Sequence, residues 1–171
     1  MADFTTIDYL KEGNQKQKRA YDVLEKYRIF EILKDYSPVL AGTIPIEIDI
    51  EGSDLDIICQ FKDEDEFTEL LHRYFKEYKG FSLEKITVNG ENSVVSNFML
   101  EEFPIEVFAQ NKPATNQNAY LHMIAEYTIL QEKGEEFKQK IIELKKKGIK
   151  TEPAFGMVLN LEDPYKDLLK F

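Results

Sequence analysis

Asp54 and Asp56 flank Leu55 in the run Ser53-Asp54-Leu55-Asp56-Ile57-Ile58. Side chains alternate between the faces of a strand, so Asp54 and Asp56 point one way while Leu55 and Ile57 point the other, into a core. Two carboxylates held side by side repel by about 4 kcal/mol at ~4 Å, even at a near-surface dielectric. A shared proton or a bound cation relieves that repulsion. Hard divalent cations take oxygen ligands, and magnesium commonly combines one or two carboxylates with phosphate oxygens. A third acid, Glu106, stands alone in the apolar run Phe103-Pro104-Ile105-Glu106-Val107-Phe108. A carboxylate there is unfavourable unless paired or coordinated. If the two segments are neighbouring strands, three carboxylates converge, and such a triad can hold Mg2+ or Mn2+ ions ~3.5–4 Å apart for in-line displacement at phosphorus. The competing readings are a solvated strand start with turn chemistry at Ser53-Asp54, and an ion pair between Glu106 and a lysine.

Strands and helices must position these groups. An apolar stripe at helical spacing (Tyr21, Leu24, Arg28, Ile29, Ile32, Leu33) predicts a first helix from about Asn14 to Asp35, closed by Ser37-Pro38. Val39 to Thr43 is a short apolar run ending at Gly42-Thr43. The alternation of Ile44-Pro45-Ile46-Glu47-Ile48-Asp49-Ile50 predicts a half-buried strand, with its proline at a start or an edge. Asp54 to Phe61 reads as a buried strand. The acidic segment Asp63 to Glu66 opens a helix to about Tyr78, where carboxylates complement the helix dipole. Phe81 to Val88, Ser93 to Leu100 and Pro104 to Ala109 read as strands, with Asn89-Gly90 as a hairpin turn. Thr115 or Asn116 can cap a helix to about Lys133. Gly134 separates it from a helix over Glu135 to Lys147, and a tail follows. The expected fold class is α/β (α+β): a mixed β-sheet packed with helices, plus C-terminal helices. One domain over 1–171 is expected, with a core at about 14–112 and a helical extension at about 113–171.

Charge narrows the partners. The net charge is −10, and affinity for long nucleic acids rests on phosphate neutralisation by Lys and Arg, so a small molecule or a protein is favoured as partner over long nucleic acid. The basic runs Lys16 to Arg19 and Lys145 to Lys147 fall in helical patterns and read as solvated faces. No apolar run approaches the ~20 residues of a membrane span. Met1-Ala2-Asp3-Phe4 is no secretory signal, and the single cysteine, Cys59, excludes an internal disulfide. Together these predict a cytoplasmic protein with no membrane partner. Cys59, amid apolar strand residues, reads as core, and His72 as a surface or boundary residue. His122 and Glu126 share a helix face, as ligands or as an ordinary hydrogen-bonded pair. Gln117 and Asn118 can contact a base or ribose, or cap a helix. Tyr120, Tyr127 and Phe155 can stack a base, although core packing is the commoner use.

Ala41-Gly42-Thr43, Asp54-Leu55-Asp56 and Glu106 together resemble the nucleotidyltransferase (DNA polymerase β-like) superfamily. More closely, Gly42-Thr43-Ile44-Pro45-Ile46, Ser53 to Ile57, Gln117-Asn118-Ala119-Tyr120 with His122-Met123, and Lys150 to Phe155 resemble a small bacterial family of nucleotidyltransferase-like proteins. The resemblance implies a sheet of nucleotidyltransferase type. It implies metal ligation by Asp54, Asp56 and Glu106, with Glu106 also a candidate base. It implies phosphate contact at Gly42 and Thr43, and nucleotide-binding roles for Ser53, Gln117 and His122. The implied activity transfers a nucleoside monophosphate from a nucleoside triphosphate to an acceptor. The alternative is an inactive binding or regulatory module of the same fold, including an antitoxin-like one. Two departures bear on this. Thr43 stands where Ser or Gly is usual, and no Lys or Arg occurs from Ala41 to Phe61 or from Phe98 to Asn111. Cations from elsewhere, such as Lys62, Lys112 or Arg28, would have to reach the site.

Overall fold

Asn14 starts the first helix with a reciprocal cap: its side chain accepts from the Gln17 backbone N–H, and the Gln17 side chain accepts from that of Asn14. The helix, α1 (Gln15–Lys26), stops well short of the predicted Asp35. Arg28 adopts a left-handed conformation, and the chain restarts as the single turn α2 (Ile29–Ile32) and a 3-10 turn at Lys34–Tyr36. The break turns Ile29 and Leu33 into the core beside Val23 and Leu24. Burial of those side chains outweighs the loss of helix continuity. The computed structural model describes residues 2–171; Met1, first of the residues read above as no secretory signal, lies outside them.

Next come β1 (Val39–Ala41), β2 (Leu55–Gln60), α3 (Glu64–Phe75), β3 (Ser82–Val88), β4 (Glu91–Leu100) and β5 (Phe103–Gln110). They form one mixed sheet in the order β1-β2-β5-β4-β3, in which only β2 and β5 run parallel. Asp63 caps α3 by accepting from the Glu66 N–H. Asn89 and Gly90 both take positive φ and close the β3–β4 hairpin, the geometry a two-residue turn demands. The C-terminal part is helical: α4 (Asn118–Lys133), α5 (Glu135–Lys146), α6 (Thr151–Leu159) and α7 (Pro164–Asp167). The predicted tail over Glu152 to Phe155 is therefore helix. Pro153 falls in the first turn of α6, where a missing N–H breaks no intrahelical bond.

The sheet lies between two cores. One face carries Leu55, Ile57, Cys59, Ile105 and Val107 against α1 and α3; the other carries Val39, Ala41, Ile58 and Phe108 against α4, α5 and α6. By the two-residue period, Asp56 shares its face with Ile58, and Glu106 shares its face with Phe108. Both acids therefore face the C-terminal helices. No helix among the described residues is long and apolar enough to cross a membrane.

Residues 44–50 correct the sequence reading: 44–47 form a turn and 48–50 irregular chain, not a strand. Gly42 and Glu47 have positive φ, and the backbone bonds run Glu47 N–H to Ile44 O and Ile48 N–H to Thr43 O. Burial alternates only from Ile46 to Asp49, and Pro45 is buried along with Ile44 and Ile46. Ile44 enters the α1–α3 core, while Ile46 and Ile48 enter the core under the C-terminal helices. The segment thus crosses the sheet edge and pins the glycine turn to both layers.

Candidate metal and nucleotide cleft

β2 and β5 are in register so that Asp56 lies opposite Glu106, with Leu55 opposite Ile105 and Ile57 opposite Val107. On the other side of β2, Asp56 pairs with Ala41 of β1, directly before the Gly42-Thr43 turn. Asp54 stands just ahead of β2. One carboxylate oxygen from each of Asp54, Asp56 and Glu106 lies within 4.8 Å of the others. Asp54 is exposed, and the other two are half-buried.

The electrostatics follow from this crowding. Burial foremost, then the charges of Asp54 and Glu106, a hydrogen bond with Asp54 and the charge of Glu152 push the Asp56 carboxyl well above the ordinary aspartate range. Burial and Asp54 raise Glu106 as well. Every group named as acting on Asp56 is acidic. Three convergent oxygen donors in an acidic setting fit a hard divalent cation such as Mg2+ or Mn2+.

The glycine turn packs against this cluster. Gly42 has φ +91°, and a Cβ at that position would meet Asp56 Oδ2 at 2.5 Å. Ser53 Oγ accepts from the Ile50 N–H at 2.9 Å, and the Ser53 N–H donates to Ile50 O at 3.1 Å. This closed turn aims Asp54. From α1, the buried Gln17 amide donates to Ile44 O and Pro45 O, bracing the loop from the opposite layer.

A cleft of about 670 Å³ opens over the three acids, lined also by Gly42, Thr43, Ser53, His122, Glu126, Lys145, Lys150 and Glu152. On the far side of Asp56 and Glu106, a smaller cavity of about 250 Å³ is lined by Ile58, Val88, Phe108, Asn89, Gln110 and Asn118, with Lys112 and Glu91 at hand. The two spaces meet at the carboxylates.

Of the expected cations, Lys112 reaches the smaller cavity beside Asp56 and Glu106, while Arg28 and Lys62 do not line either space. Arg28 lies exposed at the α1–α2 break near Glu31, Lys62 lines a separate surface hollow, and Lys112 pairs with Glu91 at 2.8 Å. Lys145, read as part of a solvated run, is instead 6% exposed, and its Nζ donates to Ile48 O at 2.6 Å. Lys150 stands at the start of α6 and also lines the cleft. Sequence spacing carried one faint signal for Lys145: it follows Phe137, Ile141 and Leu144 on the apolar stripe of α5.

The helical candidates separate. His122 is 7% exposed in the cleft wall, with Nε2 at 2.7 Å from Tyr165 O and Nδ1 at 3.7 Å from Glu152 Oε1. Gln117, 1% exposed, does not line the cleft: its amide donates to Cys59 O and Lys112 O, tying the start of α4 to β2 and the end of β5. Neither Thr115 nor Asn116 caps α4, which begins after a 3-10 turn at Ala114–Asn116 with no side-chain cap. Cys59 and Phe155 are fully buried, Tyr127 packs edge-on to Phe4, and His72 is exposed.

A family model described as "Domain of unknown function (DUF4269)" matches residues 22–171. The chain belongs to the DUF4269 family. Solved structures place the fold of this DUF4269 chain. It is similar to the Cid1 poly(U) polymerase with MgGTP bound (12% identity, TM-score 0.56, 81% of this chain and 46% of that one). It is also similar to a chain of the GLD-2/RNP-8 complex (14% identity, TM-score 0.52, 89% and 57%). A third likeness is to the polymerase core of TRAMP, an RNA surveillance complex (10% identity, TM-score 0.53, 92% and 49%). The chain thus spans about half the length of these structures, and it has the nucleotidyltransferase fold. No curated protein matches its sequence.

Proposed function

We propose that this chain is a Mg2+- or Mn2+-dependent nucleotidyltransferase that moves a nucleoside monophosphate from a nucleoside triphosphate to a hydroxyl or phosphate of an acceptor. The observation that carries this reading is the juxtaposition of Asp54, Asp56 and Glu106 with the Gly42-Thr43 turn at the floor of one cleft. Asp54, Asp56 and Glu106 would hold the metal. When bound, it supplies positive charge to the phosphate oxygens and templates in-line displacement. Gly42 and Thr43 would contact phosphate from the turn, and Ser53 would keep Asp54 aimed. Lys145 and Lys150, on the cleft wall, would neutralise the triphosphate. His122 would line the nucleotide from α4. Residues 14–112 and 113–171 would then act as one unit, the second part covering the nucleotide.

In the transfer, the acceptor oxygen forms a bond to the α-phosphorus as the bond from that phosphorus to the bridging β-oxygen breaks, and pyrophosphate leaves. A hydroxyl acceptor gives its proton to a Glu106 carboxylate oxygen. Glu106 suits this role because burial and Asp54 raise its proton affinity. The cavity of about 250 Å³ on the far side of Glu106 has room for a small acceptor group. Together with a net charge of −10, it favours a small molecule or a protein side chain over long nucleic acid. A cytoplasmic setting suits such chemistry.

A second reading is a binding module that keeps the site without turnover, and the scarcity of cations in the cleft, where Lys145 already donates to Ile48 O, favours it. Calorimetric titration of Mn2+, with and without ATP or GTP, into wild type and Asp56→Asn separates the outcomes. Metal-dependent nucleotide binding lost in Asp56→Asn supports the transferase site. Absence of nucleotide binding in wild type sinks the transferase reading.

A further inference from the structure

One side chain in the cleft wall takes no part in the transfer step. Glu126, midway along α4, is 3% exposed and lines the cleft. Its Oε1 is buried without a hydrogen-bond partner. Buried polar atoms without partners are rare in folded proteins and call for an explanation; Tyr9 Oη and Gln117 Oε1 are also unpartnered, but of the three only Glu126 lines the cleft. The neighbours do not supply a donor. Lys145 attracts Glu126 electrostatically, but its ammonium donates to Ile48 O. Glu152 adds a like charge and has its own neighbour in His122, at 3.7 Å.

The chemistry restricts what can approach. Glu126 and Glu152 together disfavour a bare anion directly against Glu126 Oε1. A divalent cation wants several oxygen ligands, and among the described residues the one cluster of three or more such groups is the triad of Asp54, Asp56 and Glu106. What a buried carboxyl with a free acceptor oxygen binds well is an N–H donor, best of all a charged or paired one.

We infer that Glu126 receives an N–H donor group of the ligand held in the cleft, with Glu152 beside it. This rests on the transferase reading only in treating the cleft as a substrate site. Two sources share the chemistry: the amino edge of the donor's nucleobase, and an amine or guanidine on the acceptor. Either way Glu126 sets specificity, because a site built around a hydrogen bond rejects analogues that cannot make it.

The test has two arms, each run on wild type, Glu126→Gln and Glu126→Leu, with thermal melts to establish that the variants fold. The first titrates GTP, ITP, ATP and UTP into Mn2+-loaded protein. ATP and GTP carry an exocyclic amino group that ITP and UTP lack, so a nucleobase source predicts ATP or GTP binding at least about tenfold tighter than ITP, a ranking that collapses in Glu126→Leu. The second titrates agmatine, which carries an ammonium and a guanidinium, into Mn2+-loaded protein with and without nucleotide. An acceptor source predicts agmatine binding weakened about tenfold by Glu126→Leu, with the nucleotides ranked alike. The near-isosteric Glu126→Gln keeps the test decisive should the leucine variant fail to fold. If neither the nucleotide ranking nor agmatine binding responds to the substitutions, the inference is overturned. If wild type binds no nucleotide at all, the transferase reading falls while the agmatine arm still decides the role of Glu126.

Discussion

Asp56 and Glu106 are register partners on adjacent parallel strands, their side chains on the same face of the sheet and their oxygens in one cluster with Asp54. Parallel pairing of β2 and β5 is what brings together acids fifty residues apart, and it does so at the only parallel seam of the sheet. The seam also places a concentrated negative charge where burial makes charge unfavourable.

Neutralising one member should therefore stabilise the metal-free protein. Asp56→Asn removes a carboxyl under repulsion and keeps its volume, so we expect a gain of roughly 1–2 kcal/mol near neutral pH. For a chain of this size that is about 2–8 °C in Tm. Mn2+ should raise the Tm of wild type and leave that of Asp56→Asn nearly unmoved. A variant less stable than wild type, or one still stabilised by Mn2+, would contradict the assignment of these acids to a shared cation.

The same crowding fixes a pH dependence. The carboxyls of Asp56, Glu106, Asp49 and Glu126 all sit above their ordinary values of 3.8 for aspartate and 4.5 for glutamate, each chiefly through burial. A group with a raised folded value holds its proton in the folded state after the unfolded chain has released it. Its contribution is greatest below the ordinary value and is lost as pH rises through the folded one. Asp65 and Glu101, held down by hydrogen bonds from Lys85 and Lys26, act the opposite way, but only as pH falls below the ordinary range. Metal-free protein should thus melt higher at about pH 5.5 than near neutrality, and Asp56→Asn should flatten the slope. Adding Mn2+ should reverse the trend, because protons compete with the metal for the same oxygens. Melting curves across this range, with and without Mn2+, check both signs.

Gly42 tests the turn directly. Its φ of +91° disfavours any side chain, and a Cβ would press on Asp56 Oδ2. Gly42→Ala should lose about 1–2 kcal/mol from the backbone alone and displace the Asp56 carboxyl. The diagnostic result is a weaker Mn2+ response than the loss of stability alone explains; Gly52→Ala, where a Cβ meets nothing within 4 Å and φ is also positive, is the matched control.

Some of this architecture is legible in the residues themselves, and the reason lies in range. Alternation around Leu55 places Asp54 and Asp56 on one face, the isolation of Glu106 marks it as unusual, and Asn89-Gly90 announces its hairpin; all are local patterns. That β2 lies beside β5 is a long-range pairing that no local pattern encodes, so the convergence of the acids came from resemblance. Ile44 to Ile50 misleads because its isoleucines are spaced as in a strand, while the chain threads between two cores and sends Ile44 to one and Ile46 and Ile48 to the other. Arg28 breaks the first helix through its backbone conformation while the apolar stripe runs on. Lys145 hides in a basic run, where only the fold shows that one ammonium turns inward to Ile48 O.

That inward turn separates the two cleft lysines by a measurable difference. Lys145 is buried with a charged hydrogen bond to Ile48 O, on the loop that leads to Ser53 and Asp54, and burial holds its ammonium below the ordinary lysine value against the pull of Glu126. Lys145→Met leaves Ile48 O without that donor and Glu126 without its neighbouring charge, a loss of about 1.5–3 kcal/mol. Lys150 is exposed at the entrance to α6, so Lys150→Met should leave the melting temperature within about 0.5 kcal/mol of wild type. If both lysines meet the triphosphate, each variant should weaken Mn2+-dependent ATP binding about tenfold. Lys150→Met would do so at constant stability and with the response to Mn2+ alone intact. Melting and calorimetry on the same samples make the comparison, and unchanged ATP affinity in Lys150→Met would remove the exposed lysine from the phosphate site.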